Sequence, residues 1–375
     1  MNKSYYSLGL MSGTSMDGVD ASIIQSDGTS KYKAILDRYY EYPKSIFKNL
    51  TNLRDKIKNS KDLKKYQKQI KSVEKEITIF HVKAANEILK KKKVNIDFIG
   101  FHGQTIFHNE DEKITKQIGD GKLLSKLTNK TVVYDFRQND LRNGGRGAPL
   151  APIFHQLIVK QIKVNLPVTI LNIGGIANIT YITNYEPKDV IAYDIGPGNC
   201  LIDEWIRKKT KKKFDNKGLI AKKGKIDNIS LEAIDFYNSQ TFNYIESGKN
   251  KNWQPKFSFD IKDFKFLDSF NELSLEDGAA TLTELTARRL HCIIHSDKEK
   301  IILCGGGRKN SFLVEKLKKE NSNVQLIDQF GIDGDFVESQ AFGYLAIRSY
   351  LKLPISFPET TNVKKSCLGG IIIEY

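Results

Sequence analysis

Residues 8–20 read Leu8-Gly-Leu-Met-Ser-Gly-Thr-Ser-Met-Asp-Gly-Val-Asp20. A short apolar run ends in a turn of hydroxyl residues, glycines and acids. A second apolar run, Val19 to Ile24, follows. Two apolar runs across a glycine-containing turn predict a β-hairpin. Gly13 and Gly18 let the backbone come close to a ligand. Ser12, Thr14 and Ser15 set hydroxyls beside the N–H groups of the turn, a concavity that suits phosphate oxygens. Asp17 and Asp20 cannot bind phosphate themselves, but a carboxylate there holds Mg²⁺ through water. Taken alone, one such stretch also reads as an ordinary Gly/Ser turn.

A second stretch changes that balance. Val168-Thr-Ile-Leu-Asn-Ile-Gly-Gly-Ile-Ala-Asn-Ile-Thr-Tyr-Ile182 is again strand, glycine turn, strand, with Gly174, Gly175 and Asn178 in and after the turn. Each copy can open one half of the molecule. Two phosphate-type hairpins holding a nucleotide between halves is the design of actin-like ATPases and sugar kinases.

The chain of 375 residues is long enough for a large core and one to three domains. A hydrophobic share of 40% suits a soluble globular protein. No apolar run approaches the roughly 18–20 residues of a membrane span. Residues 1–7 lack the apolar core of a signal peptide, so a cytoplasmic protein is expected. Cys200, Cys292, Cys304 and Cys367 are scattered without a Cys-x-x-Cys pair, which disfavours zinc and a disulfide framework. The formal charge of +15 is spread over many lysines, and the densest runs, Lys90–Lys93 and Lys208–Lys213, lack interleaved aromatics. A solvated basic surface that attracts anionic small molecules is therefore expected, rather than a nucleic-acid partner.

Along the chain, Leu63, Tyr66, Ile70, Val73, Ile77, Phe80, Ala84 and Ile88 recur at helical spacing. They predict a helix lying on a sheet, with a coiled-coil dimer seam as the alternative. Ile96–Phe101 predicts a strand ending in a His102-Gly-Gln-Thr105 turn, and Val132–Tyr134 one ending at Asp135-Phe-Arg137. Asn143-Gly-Gly-Arg-Gly-Ala-Pro149 is a loop signal and the expected crossing between halves. Val190–Tyr193 leads into Asp194-Ile-Gly-Pro-Gly-Asn199. Ile301–Cys304 leads into Gly305-Gly-Gly-Arg-Lys-Asn310. A helix over Asp335–Leu351 is expected to return to the first half, and Ile371–Tyr375 to form a last strand. Strands alternating with helices predict an α/β protein with ligands near strand ends.

Several of these ends carry chemistry. Gly305, Gly306 and Gly307 permit close approach of a flat or charged ligand before a helix N-terminus. They match neither the nicotinamide fingerprint, which needs an acid about 20 residues on, nor a P-loop. Asp194, between a strand and a Gly-Pro-Gly turn, is placed for general-base work; a turn-capping role is the alternative. His102 and His108 suit no helix face, and His291 and His295 lack a third ligand, so no metal site is expected there. Gln104, Thr105, Asp120 and Asp135 set amide, hydroxyl and carboxylate hydrogen-bonding groups at these ends. Arg137 or Arg146 could meet a substrate carboxylate bidentately, with a structural ion pair as the alternative.

The ordered motifs Gly-Thr-Ser-Met-Asp-Gly, His-Gly-Gln-Thr, Gln-Ile-Gly-Asp, Asp-Phe-Arg, Gly-Gly-x-Gly-Ala-Pro-Leu, Asn-Ile-Gly-Gly-Ile-Ala-Asn, Asp-Ile-Gly-Pro-Gly-Asn and Cys-Gly-Gly-Gly-Arg-Lys-Asn resemble those of the anhydro-N-acetylmuramic acid kinases. The resemblance implies a two-domain actin-like (ribonuclease H-like) ATPase fold with ATP and sugar in the interdomain cleft. The expected domains are residues 1–138, with 336–375 returning to them, and residues 139–335. It implies an ATP- and Mg²⁺-dependent enzyme of peptidoglycan recycling that opens the 1,6-anhydro bridge and phosphorylates O6. Asp194 is then the catalytic base. Ser12, Gly13, Thr14, Ser15, Asp17, Gly18, Gly174, Gly175, Asn178, Gly196, Gly305, Gly306, Gly307 and Asn310 surround ATP, with Asp17 near Mg²⁺ through water. His102, Gln104, Thr105, Asp120, Asp135, Arg137 and Gly147 face the sugar. A homodimer is expected, with no nucleic-acid or membrane partner. Arg146 stands where the family usually has Gln, and Gln254–Asp260 departs from the family's Pro-Pro-Lys-Ser-Thr-Gly. A kinase for another amino sugar and a non-catalytic ATP-binding actin-like protein are the competing readings.

Overall fold

The computed structural model describes residues 3–92, 94–109, 112–236, 259, 261–264, 268–292 and 299–375. The chain forms two compact units. The first comprises Met1–Val164, Tyr185–Val190 and Asp335–Tyr375; the second comprises Asn165–Asn184 and Ile191–Gly334.

In the first unit, β1 (Tyr5–Ser12), β2 (Gly18–Ser26) and β3 (Tyr32–Glu41) form an antiparallel meander. β4 (Phe98–Asn109) joins β1 in parallel, β5 (Ile114–Ile118) pairs back on β4, and β6 (Thr131–Tyr134) joins β4 in parallel. The last strand of the chain, β12 (Ile371–Ile373), closes the edge against β6. The main order is β12-β6-β4-β1-β2-β3. In the second unit, β7 (Val168–Ile173), β8 (Ile176–Ile182), β9 (Val190–Pro197), β10 (Lys300–Cys304) and β11 (Val324–Leu326) run β11-β10-β7-β8-β9. β7 and β8 are antiparallel, whereas β10 pairs in parallel with both β7 and β11. Counted from each first strand, both sheets share the order 3-2-1-4-5, the duplicated ribonuclease H-like pattern of an actin-like α/β protein.

Helices cover these sheets for sequence-local reasons. In the first unit α1 (Lys44–Lys56) and the short α2 (Ser60–Lys65) precede α3 (Gln67–Lys91). The buried face of α3 is Ile70, Val73, Ile77, Ala84 and Ile88, the three-and-four spacing of a helix on a core. These side chains join one cluster with Leu8, Leu10, Ile23 and Phe101 of the sheet, so α3 is a sheet-covering helix within its own unit. α4 (Gly121–Thr128) starts at Asp120, whose carboxylate caps Leu123 N, and ends at Asn129 in the left-handed region. α5 (Gln138–Arg142), α6 (Pro152–Ile162), α11 (Val337–Tyr350) and α12 (Pro358–Thr361) complete this unit. α11 lies so close to the sheet that a methyl group on Gly9 would collide with the backbone of Ser339 and Gly343, and one on Gly100 with Phe342 O.

The second unit is covered by α7 (Cys200–Lys209), α8 (residues 228–236), α9 (Leu275–His291) and α10 (Ser311–Glu320). Trp205 is fully buried between α7 and α9 and donates its indole N–H to Leu275 O at 2.9 Å. α9 is capped by Ser274, and α10 by Asn310.

Three local expectations are corrected. The Asn143–Pro149 loop is not a crossing between units, because residues 143–164 belong to the first unit. α6 packs there through Phe154, edge-on to Tyr32 at 4.9 Å. The unit division falls at Val164 rather than at residue 138. His102–Thr105 is not a turn but the middle of β4. His295, residues 254–258 and Asp260 lie outside the described residues.

Candidate active site

In the first hairpin the turn Gly13–Met16 closes with Met16 N on Gly13 O at 3.1 Å. Met16 takes φ +58 and buries its side chain, which anchors the turn. Thr14 and Ser15 stay exposed. Ser15 Oγ donates to Asp17 Oδ1 at 2.6 Å. Burial and the neighbouring carboxylate of Asp17 push the Tyr39 hydroxyl pKa up. Ser12, expected among the phosphate ligands, is instead sealed inside. Its hydroxyl lies 2.7 Å from Gln104 Oε1, 2.8 Å from Gly18 O and 2.9 Å from Tyr42 Oη. Gln104 Nε2 then donates to Gly13 O at 3.0 Å. Ser12 and Gln104 thus share one buried network that fixes the turn, which places neither on an open ligand surface.

The sugar-side residues fall into three groups. His102 sits where the β1–β4 register slips: Leu10 pairs with Phe101 and Met11 with Gly103, so His102 is the extra residue of a bulge. Its Nε2 accepts from Arg137 Nε at 3.1 Å and Nη2 at 3.0 Å. Its Nδ1 lies 2.9 Å from Gly103 O. A carbonyl only accepts, so Nδ1 carries the proton and the ring is neutral. Burial, then the Arg137 charge, hold the His102 pKa well below its ordinary value. Arg137 Nη1 reaches Gly147 O at 2.7 Å. Glu338, on α11, is half-buried. Burial raises its carboxyl pKa, and the Arg137 charge partly offsets this.

In the second group, Thr105 Oγ1 accepts from Gln117 Nε2 at 3.1 Å. In the third, Asp135 ends β6 with φ +57, and its half-buried carboxyl pKa is raised by burial against the Arg142 and Lys116 charges. Asp120 is exposed and uses one carboxylate oxygen, Oδ1, to cap α4.

In the second unit β9 does not stop at Tyr193 as expected but runs on to Pro197, so Asp194 lies within the strand; its carboxylate is buried, and Oδ2 accepts the amide of Phe259 at 2.8 Å. Gly196 follows it in the strand with φ +154. The hairpin turn carbonyls are covered from the next turn. Gly175 O accepts Gly198 N at 2.9 Å and Cys200 N at 3.1 Å, and Gly174 O accepts Asn199 N at 2.8 Å. Asn199 Nδ2 adds a bond to Gly174 O at 3.0 Å. Asn178 stands opposite Asn172 in the β7–β8 ladder. Buried Asn172, a residue sequence reading missed, accepts Cys304 Sγ on Oδ1 at 3.7 Å, and the same oxygen crowds Gly305.

The three glycines after β10 then differ. A side chain at Gly305, which has φ +76, would collide with Asn172, and one at Gly307 with Ile173. One at Gly306 would meet nothing within 4 Å. Gly306 is therefore the exposed glycine of the turn and the cradle available to a ligand. Asn310 again departs from its expected role: its Oδ1 caps Leu313 N at 3.1 Å. Arg308 braces the turn from beneath, pairing with Asp328 through Nε at 2.7 Å and Nη2 at 2.9 Å, and with Asp333 at 3.1 Å. That guanidinium holds the Asp328 carboxyl pKa below the usual range.

With this geometry in view, a family model described as anhydro-N-acetylmuramic acid kinase matches residues 5–374. The chain belongs to this kinase family. An anhydro-N-acetylmuramic acid kinase of Pelagibacter ubique is 52% identical, with all of both chains covered. One of Zymomonas mobilis is 38% identical over 97% of this chain and 98% of its own. Component A of the (R)-2-hydroxyglutaryl-CoA dehydratase of Acidaminococcus fermentans, a solved structure, is similar at a TM-score of 0.46. It is 13% identical, covering 93% of this chain and 100% of that one. Glu338 is a second position that sequence reading missed, since an acid in the first turn of a helix reads as ordinary helix-start chemistry. No described helix is long and apolar enough to cross a membrane.

Proposed function

We propose that this family member uses ATP to open 1,6-anhydro-N-acetylmuramic acid hydrolytically and to phosphorylate O6, giving N-acetylmuramic acid 6-phosphate in cytoplasmic peptidoglycan recycling. The observation that carries the reading is Asp194. Its carboxylate is buried in the C-terminal half of β9 and oriented by the Phe259 amide. A fixed acceptor of this kind suits a general base. Asp194 takes a proton from a water that attacks the anomeric carbon. The C1–O6 bond breaks, and the electron pair stays on O6, which accepts the phosphoryl group. The neutral His102 and the Arg137 guanidinium orient sugar polar groups, with Asp135 and Thr105 nearby in sequence and strand.

On the nucleotide side, exposed Thr14 and Ser15 and the open space at Gly306 fit an approaching polyphosphate and nucleoside. Among the described residues no cluster of three or more His, Cys, Asp or Glu forms a metal cage. One carboxylate fits a metal that keeps its waters, so Asp17 would hold Mg²⁺ through water. When bound, Mg²⁺ supplies charge neutralisation on the phosphates.

The test is incubation with ATP, Mg²⁺ and the anhydro sugar in ¹⁸O-water, followed by mass spectrometry. A 6-phosphorylated open sugar with ¹⁸O at the anomeric carbon is expected. A folded protein giving neither ADP nor product would overturn the reading, and a phosphorylated sugar without ¹⁸O would point to a kinase for an ordinary hydroxyl.

A further inference from the structure

His102 and Arg137 are held by contacts that begin at the other end of the sequence. Asp140, on α5, is 1% exposed. Its Oδ2 accepts the Gly147 amide at 2.7 Å, and its Oδ1 accepts the Thr361 hydroxyl at 2.6 Å. The Asp140 carbonyl takes the Gly145 amide at 2.9 Å, and the Thr361 carbonyl takes the Arg146 amide at 2.9 Å. Three successive amides of the 143–149 loop are thus gripped by two residues lying 221 positions apart in sequence. The grip is tight: a side chain at Gly145 would collide with the Asp140 carboxylate. Gly147, at φ +76, turns its carbonyl onto Arg137 Nη1, whose Nε and Nη2 meet His102 Nε2.

Both Asp140 oxygens face donors, so the position needs a group that accepts twice. An amide supplies one oxygen for those two donors. The loop is short of its own regular structure between Asn143 and Leu150, so its carbonyl directions depend on these bonds. A loosened Gly147 carbonyl would leave the Arg137 guanidinium held only by its two bonds to His102 Nε2.

We propose that Asp140 and Thr361 are positioning residues for the Arg137–His102 pair, so that the C-terminal helix α12 sets the geometry of the sugar side of the site. The part concerning sugar rests on the reading given under Proposed function.

The test uses the full chain carrying Asp140→Asn, Thr361→Val or Thr361→Ser. Valine keeps the shape and removes the hydroxyl; serine keeps the hydroxyl. In ¹⁵N-labelled protein the Arg137 Nε–H is expected to exchange slowly and His102 to show the Nδ1–H tautomer. Thr361→Val and Asp140→Asn should speed Arg137 Nε–H exchange by ~5–30-fold, the equivalent of one hydrogen bond, and shift the His102 ring nitrogens. They should raise KM for the sugar by a similar ~5–30-fold, with kcat and KM for ATP changed less than ~3-fold. Thr361→Ser should restore the spectra. Unchanged Arg137 and His102 signals in folded Asp140→Asn and Thr361→Val proteins would overturn the positioning role. Shifted signals with an unchanged sugar KM would keep the positioning role and remove Arg137 and His102 from sugar recognition. Loss of ADP formation with every sugar in the parent protein would instead sink the functional reading alone.

Discussion

In the first hairpin the turn carbonyl of Gly13 is taken by the Met16 amide of its own turn and, from outside, by a side chain, the Gln104 amide. In the second, the carbonyls of Gly174 and Gly175 are taken by the backbone amides of Gly198, Asn199 and Cys200. The two turns occupy the same place in two sheets of one strand order. The first depends on residue identity at Ser12, Tyr42 and Gln104. The second depends on shape, because a methyl group on Gly198 would strike Gly174 O. Exposed hydroxyls survive only in the first, where Thr14 and Ser15 face outward. A turn held by side chains can expose its own hydroxyls, while a turn clasped by backbone is left with little but its amides and glycines.

The largest expected effect tests the acid that precedes the backbone clasp. Asp194→Asn should fold normally and lose on the order of 10²–10⁴ in turnover. Amide exchange at Gly198 should not change. Near-normal turnover would remove Asp194 from the chemistry and leave the second hairpin as scaffold only.

Acid should separate the two units. His81 and His155 are buried, and burial lowers each pKa to about 4. His102 lies further below its ordinary value. All three belong to the first unit. Each is neutral when folded and protonates near its ordinary value when unfolded, so its contribution is complete above about pH 6.5 and is lost as pH falls towards 4. Each of His81 and His155 should cost on the order of 3 kcal/mol across that window. Hydrogen exchange should show the first unit opening before the second on acidification. Simultaneous loss of protection would break the contrast.

A smaller effect sharpens the difference in how the turns are held. Gln104→Leu takes one partner from the Ser12 hydroxyl, which keeps Gly18 O and Tyr42 Oη, and one from Gly13 O, which keeps the Met16 amide, and should cost ~0.5–1.5 kcal/mol in urea unfolding. Adding Ser12→Ala should then cost much less than it does alone, because the two share a network. Gly198→Ala should cost ~1–3 kcal/mol through the forced shift and add in full to Gln104→Leu. Additive behaviour within the Ser12–Gln104 pair would mean that the side-chain clasp is not one unit.

The smallest change concerns Gly306→Ala. It should leave stability within ~0.5 kcal/mol, since the added methyl group meets nothing. KM for ATP should rise several-fold while the sugar KM holds. An unchanged KM for ATP would move the nucleotide away from this turn.

Much of this architecture is legible from local patterns. Both hairpins follow from apolar runs around glycine turns, and α3 from its three-and-four spacing. The Asp120 and Asn310 caps were also readable, since each is an Asx residue just before a helix. Sequence shows the oxygen but not which N–H it faces, so the same residue reads as a cap and as a ligand contact. His102-Gly103 read as a turn because glycine punctuates; pairing with β1 turned it into a bulge. The 143–149 loop read as a linker because its composition is that of one, whereas Asp140 and Thr361 hold it from positions no local window spans. Glu338 reads locally only as an acid in the first turn of a helix, whereas the Arg137 charge that acts on it comes from 201 positions away in sequence.

The tight seat of α11 on Gly9 and Gly100, with β12 on the sheet edge, bears on the order of events at the ribosome. The strands that need this helix are translated first, and the helix that covers them is nearly last. Between Val164 and Tyr350 a ribosome at ordinary speed takes on the order of tens of seconds, while the second unit's segments emerge and can fold. Throughout that interval the apolar face of β1 and β4 has no lid, which makes the nascent chain a client for whatever shields such surfaces. A message truncated before codon 337 would yield one complete half and one that can never close.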